Sequence, residues 1–328
     1  MRFFLRRAVF YVFTAWAAIT INFFLPRFMK GDPITAYLAR NQGKVSPEAI
    51  DSLKILFGLN SQKSLWEQYL DYWGLLVRGD LGRSLSKGLA PVTDIIADAL
   101  PWTIGLVGIA TLISFFVGTS IGTYIGWRRG SKAEFFVPVA TFLSTVPYFW
   151  LGLIMIAVFS TTLGWFPASH AYDKTVTPGW NGEFVQSVIY HGTLPALTIV
   201  ITSLGGWILG MRNMMITVLD EDYITVAQAK GLSPWRVTMN YAARNAVLPQ
   251  LSSFALSLGF IVGGTLIMEM IFSYPGLGLR LFEATLAKDY PLIQGIFLVI
   301  TLSVLVANIV ADIAYAALDP RTRQEEAL

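Results

Sequence analysis

Asp220, Glu221 and Asp222, followed by Lys230, Arg236 and Arg244, place charge in the stretch Asp220–Pro249, DEDYITVAQAKGLSPWRVTMNYAARNAVLP, between two apolar runs. Few reactions are open to such groups here. The chain has no cysteine and only two histidines, His170 and His191. Disulfides, zinc–thiolate sites and thiol catalysis are excluded, and a histidine metal site or proton relay is disfavoured. There is no GxxxxGK[ST] phosphate loop and no Walker-B-like apolar strand ending in Asp, so the chain holds no nucleotide site of its own. No catalytic residue and no cofactor is expected on this chain. What remains is docking. Asp220 and Asp222 favour a helix start, where carboxylates satisfy free N–H groups. Gly231 suits a helix stop, Ser233 a second cap and Pro234 a first turn. Pro249 marks the start of the next apolar run. The stretch reads as two short helices broken at Gly231, with Ala227 and Ala229 small enough for close approach of a partner; an ordinary loop with helical fragments is the alternative.

The elements that hold this elbow belong to a membrane. Of 328 residues, 54% are hydrophobic and 14% charged, with a mean hydropathy of +0.56; soluble domains carry about 25% charged residues. A net charge of +3 without a basic tract argues against nucleic acid as a partner. Apolar runs over Ala8–Pro26, Thr103–Trp127, Phe135–Trp165 (interrupted by Pro138 and Pro147), His191–Met211, Ala246–Met268 and Pro291–Ala311 predict an all-α membrane protein of six spans. The first reads as an uncleaved span, since Phe23-Phe24-Leu25-Pro26-Arg27 is no small-residue cleavage site; a cleaved signal is the second reading. The expected organisation is a tail and first span over 1–27, a small external subdomain over 28–100, a core of five spans over 101–320 and a tail over 321–328. In the subdomain, Ser46-Pro47-Glu48 suggests a capped helix ending at Gly58, Gly79-Asp80-Leu81-Gly82 a turn, and Leu53, Ile55, Leu56, Leu65, Trp66, Tyr69, Tyr72 and Trp73 an apolar face.

Basic residues alternate between loops. Arg2, Arg6 and Arg7; Arg128, Arg129 and Lys132; Arg212, Lys230, Arg236 and Arg244; and Arg321 and Arg323 fall on one side, against Lys174, Arg280 and Lys288 in the short loops of the other. Both termini and the elbow are therefore expected in the cytoplasm. The external connection Ser273–Tyr290, with Tyr274-Pro275-Gly276-Leu277-Gly278, predicts a tight turn and re-entry. Glu269 and Asp312 lie near span ends. The ordinary reading places them at the interface or pairs them with Arg212, Arg280 or backbone; the functional alternative is an intramembrane coupling carboxylate. No span carries a mid-span carboxylate, which argues for energy arriving from outside the chain. Gly118, Gly122 and Gly126, like Gly259 and Gly263, recur every four residues, as close helix packing in a moving bundle or generic membrane packing requires.

In order along the chain, Leu25-Pro26-Arg27 with Gly31-Asp32-Pro33, Phe57-Gly58-Leu59, Arg78-Gly79-Asp80-Leu81-Gly82-Arg83-Ser84, Leu163-Gly164-Trp165-Phe166-Pro167, His191-Gly192-Thr193-Leu194-Pro195-Ala196, the elbow phrase from Ala227 to Pro249, Phe272-Ser273-Tyr274-Pro275-Gly276-Leu277-Gly278 and Leu318-Asp319-Pro320-Arg321 resemble the permease subunits of ABC importers of the dipeptide/oligopeptide/nickel group. The long segment after the first span resembles the B-type, or first, permease of the pair. The elbow phrase resembles the cytoplasmic loop that docks an ATPase, with Thr225 where the general motif holds Glu and Pro249 farther from Gly231 than in sugar importers. The resemblance implies that Tyr223, Thr225, Ala227, Ala229, Lys230, Gly231, Leu232 and Ser233 form a coupling helix. It implies as partners a second homologous permease subunit, two cytoplasmic ATPase subunits that carry ATP and Mg, and an external solute-binding protein docking on Phe28–Leu100 and Ser273–Tyr290. It implies a di- or oligopeptide as substrate, with oligosaccharides or nickel chelates as alternatives within the group. An ion-coupled secondary carrier acting alone is the competing reading from another class, and a membrane scaffold a third.

Overall fold

The computed structural model describes residues 2–28, 63–261 and 266–318. Among them, every regular element is helical; the one β-bridge, Arg83 with Pro91, closes a loop. In chain order the helices are α1 (Arg2–Phe24), α2 (Leu65–Val77), α3 (Val92–Trp127), α4 (Phe136–Thr145), α5 (Tyr148–Met155), α6 (Gly182–Leu219), α7 (Asp222–Ala229), α8 (Arg244–Phe260), α9 (Leu266–Ile271), α10 (Leu277–Ala287) and α11 (Tyr290–Leu318). Two π-helical segments, Ile156–Thr162 and Val237–Ala243, continue α5 and precede α8. Three helices, α3, α6 and α11, are long and apolar enough to cross a membrane; α4 and α5 make a fourth crossing if their bent pair counts as one, and Val9–Phe24 is a shorter apolar helix. Their outward residues are themselves apolar: Phe10 and Phe13 on α1, Ile109 and Phe116 on α3, and Val306 and Ile313 on α11 are exposed. A helix in water would turn such residues inward.

The helices outgrow the apolar runs that predict them. α3 begins at Val92, where Val92, Ile96 and Ala99 pack into a core, and α6 covers 38 residues from its Asn181 cap. Pro101, Pro195 and Pro249 all lie inside helices. Pro249 thus does not open the last-but-one apolar run; the helix starts at Arg244. The two expected interruptions of the third run separate. Pro138 sits in the first turn of α4, where its missing N–H is not needed. Pro147 caps α5, and the axis turns by 95° there.

The described residues fall into two compact units. One is drawn from Met1–Thr103, Val262–Met270 and Pro275–Leu305. Its core joins Val92, Ile96 and Ala99 of α3 to Leu277, Leu281 and Ala284 of α10 and Leu292, Ile293 and Ile296 of α11. Helix α2 opens with a capping box, Ser64 and Glu67 exchanging hydrogen bonds with each other's backbone. Its buried Tyr69 meets the Thr20 hydroxyl at 2.8 Å and stacks edge-on with Phe23 at 5.3 Å. Leu65 and Trp66, expected on the apolar face, are exposed. The Gly79–Gly82 turn forms as expected, with positive φ at both glycines and the Gly82 N–H donating to Asp80 Oδ1. The predicted helix from Ser46 to Gly58, with Leu53, Ile55 and Leu56, lies outside the described residues.

The second unit is drawn from Ile104–Ile261, Ile271–Tyr274 and Val306–Leu328. Here Gly118, Gly122 and Gly126 of α3 share one partner. A Cβ on Gly118, Gly122 or Gly126 would fall 2.5–2.8 Å from Trp207, Ile208, Met211 or Met215 of α6. Backbone therefore meets backbone along this face. Gly205 does the same for α6 against Ala140 and Ser144 of α4. Gly263 lies outside the described residues.

Candidate functional site

The elbow folds on its own apolar side. Ile224 and Ala227 of α7, with Val237, Ala242 and Ala246 behind them, bury against Met211, Met215 and Val218 at the end of α6. α7 is two turns long, too short to be stable alone; packing holds it. Its start differs from expectation. Asp220 terminates α6 instead of opening α7, and its carboxylate lies 3.8 Å from Arg129; the N-cap is Glu221, without a side-chain hydrogen bond, and Asp222 occupies the first turn.

Its end follows expectation. Gly231 takes φ +75°, the Gly231 N–H donates to Gln228 O at 2.9 Å and the Leu232 N–H to Ala227 O at 3.4 Å. These two bonds are a Schellman closure, and Leu232 packs back on the cluster as that closure requires. Ser233 is the next N-cap and Pro234 its first residue, but the Ser233 hydroxyl makes no capping bond. The expected second helix is a single turn, Pro234–Arg236, which widens into the π-helical segment before α8. Asn245 of α8 donates to the Tyr223 hydroxyl at 3.1 Å and to Tyr241 O at 2.8 Å, tying the start of α7 to the returning arm.

The sequence-predicted docking residues divide accordingly. Tyr223, Thr225, Ala229, Lys230, Gly231 and Ser233 are exposed. Leu232 is half-buried, and Ala227 is 3% exposed, turned into the cluster. Ala227 seats the helix and leaves the outward face to its neighbours. Val226 at 53% and Trp235 at 63% exposure add two large apolar groups that sequence reasoning missed, and Met239 and Tyr241 extend them. The signal was the flanking chain: apolar residues stand at 226, 235 and 239 beside the Ile224, Ala227 and Val237 that fill the seat. Trp235 leans edge-on to Trp127 at 6.2 Å, so it is held rather than free. Val226, Trp235, Met239 and Tyr241 are exposed apolar residues close in sequence to the exposed cations Lys230 and Arg236.

Glu269 pairs with backbone, as one of its expected alternatives has it, and with neither arginine. Arg212 reaches Glu134 at 3.4 Å and Arg280 reaches Glu283 at 3.0 Å. Glu269 is fully buried among hydroxyl and amide donors. Asp312 is half-buried. Among the described residues, no three acidic or histidine side chains gather as a metal site would need.

The family described as "Binding-protein-dependent transport system inner membrane component" matches residues 118–324, which include the whole elbow. Over 302 residues, and 92% of each chain, the sequence is 32% identical to the oligopeptide transport system permease protein AppB of Bacillus subtilis (strain 168). It is 35% identical over 341 residues, 99% of each chain, to the di/tripeptide transport system permease protein DppB of Pseudomonas aeruginosa (strain UCBPP-PA14). A putative peptide permease protein of Brucella ovis is 34% identical over 308 residues, 93% of this chain and 94% of its own. The match covers the helices that seat the elbow as well as the elbow itself, and the chain belongs to the family of binding-protein-dependent transport system inner membrane components.

Proposed function

We propose that the chain forms half of the translocation pathway of an ATP-driven importer of di- or oligopeptides. The observation that carries this is the elbow: a short helix closed at Gly231, seated on α6 and α8, offering Tyr223, Val226, Lys230 and Trp235 outward from a chain with no phosphate loop. A family of transport components supplies the context, and relatives named for oligopeptide and di/tripeptide transport support the substrate. The other half is a second homologous permease subunit. Two cytoplasmic ATPase subunits carry ATP and Mg and grip one elbow each; this chain binds neither. An external solute-binding protein delivers the peptide. Six spans with both termini in the cytoplasm fit the alternation of basic loops.

ATP binding closes the ATPase pair, and the elbow passes that movement to α6 and α8. It can do so because its apolar seat and the Asn245–Tyr223 bond leave no slack between α7 and the arm. Reconstitution with and without the ATPases tests the reading. Peptide uptake should require both ATPases and ATP and should stop with vanadate. Uptake that follows an imposed ion gradient and ignores vanadate overturns it in favour of a secondary carrier.

A further inference from the structure

The outer helix α10 is capped from a distance. α2 and α6 take their N-terminal caps from the adjoining residues Ser64 and Asn181. At α10 the N-cap is Gly276, which has no side chain to offer. Instead Glu269 of α9 accepts from the Gly278 N–H at 2.6 Å and the Leu279 N–H at 3.3 Å. Thr103 of α3 donates to the other carboxylate oxygen at 2.7 Å and accepts from the Leu277 N–H at 2.8 Å. Three helices thus meet at one carboxylate that is 0% exposed. Every polar group facing it is a donor, and no cation shares it among the described residues. The negative group also faces the positive end of the helix.

The glycines of the Tyr274–Gly278 phrase are explained by this approach. Neither has positive φ; the turn's left-handed residue is Ser273. A Cβ on Gly276 would land on the Glu269 carboxylate, and one on Gly278 would land 2.5 Å from the Leu266 backbone. They are small so that the carboxylate can reach the amides.

The far end of α10 is fixed in the same way. Asp289, also 0% exposed, accepts from the Ser84 hydroxyl at 2.5 Å, the Ser86 N–H at 2.8 Å and the Ser86 hydroxyl at 2.7 Å. Between the ends, Glu283 holds Lys87 at 2.7 Å and Arg280 at 3.0 Å. The external loop and α10 are therefore one body.

We propose that Glu269 is a positioning residue of the transport cycle: through its carboxylate, α10 and the external loop move with α9 and α3 as one rigid outer element. In sequence, α9 follows the elbow and α8. A local cap would have stabilised α10 without joining it to anything. The proposal rests on the transport reading given above.

The test uses the complete importer, this chain with its partner permease, ATPases and binding protein, in proteoliposomes. Glu269→Gln replaces one accepting oxygen by an NH₂ donor, which faces either the backbone N–H groups or the Thr103 hydroxyl and removes the charge, and Thr103→Val removes the hydroxyl bridge. Both should assemble and hydrolyse ATP at the basal rate, while peptide uptake and stimulation by loaded binding protein fall about tenfold, as expected for one lost hydrogen bond to a charged group. Thr103→Ser keeps the bridge and should restore uptake. Unchanged uptake in Glu269→Gln and Thr103→Val overturns the proposal. So does equal failure of Thr103→Val and Thr103→Ser, or loss of assembly and basal hydrolysis together, since either marks a packing role only. A wild-type importer without ATP-driven peptide uptake overturns the transport reading itself.

Discussion

At Gly231 the backbone occupies a conformation that costs other residues about 1–2 kcal/mol. Gly231→Pro removes both the φ and the N–H that bonds Gln228. It should uncouple ATP hydrolysis from uptake while the chain still reaches the membrane. Lys230→Glu should uncouple as well, by reversing charge on the exposed rim. Unchanged uptake with unchanged ATPase stimulation would show that neither residue touches the coupling. At Glu283, burial alone would raise the carboxyl, but the bonds from Lys87 and Arg280 hold it below the ordinary value of 4.5. The folded value is the depressed one, so this contribution to stability is complete above pH 4.5 and is lost as pH falls through the folded value. The site is partly exposed, which limits the contribution to about 1 kcal/mol or less. The drop in thermal midpoint between neutral and acid pH should shrink in Glu283→Gln; a drop of the wild-type size would show that the triad adds nothing. Gly231 and the Ser233-Pro234 pair were legible because helix ends are written locally. Glu269 was not, because its partner Thr103 lies 166 residues away and no local pattern joins them.

Among the helices, α3 and α6 make the contact most open to test. Gly122 and Gly105 lie on the same helix, but only Gly122 meets α6; nothing lies within 4 Å of a Cβ at Gly105. Gly122→Val should destabilise by about 1–3 kcal/mol through forced separation of the backbones. Gly105→Ala should leave the thermal midpoint unchanged or raise it, since alanine favours helix. Equal effects at the two positions would mean that the glycine spacing is incidental. The four-residue spacing was visible in the sequence, and its partner was not, because small residues state how close a neighbour comes without stating which one. Helix limits were the least legible. Run lengths mark where lipid would sit, whereas the helices continue beyond them, over Val92–Asp98, where Val92 and Ile96 pack into a core, and over Glu183–Ser187.

For the whole molecule, the absence of cysteine makes sidedness directly measurable. Trp180 stands fully exposed in the connection that the basic-loop pattern places outside, and Lys230 is exposed on the elbow. In intact cells a membrane-impermeant maleimide should label Trp180→Cys and spare Lys230→Cys until the membrane is opened. The reverse pattern would invert the topology. Composition and loop charge were enough to read a helical membrane chain, since both are set by the solvent; the seat of the elbow needed coordinates, since it joins Met211 to Ala246 across a reversal of the chain. The π-helical arm Val237–Ala243 adds a matter of phase. Each residue advances a helix by about 100°, and a wider turn holds one residue more than an α turn. The face that α8 turns toward α6 is thus set by counting residues in the arm as much as by their kinds. Met239→Ala should be tolerated for folding, whereas deletion of Met239 should rotate all of α8 and abolish uptake; a deletion that transports normally would show that the arm absorbs the change. Insertions or deletions between Gly231 and Arg244 should therefore disturb the elbow more than substitutions there do.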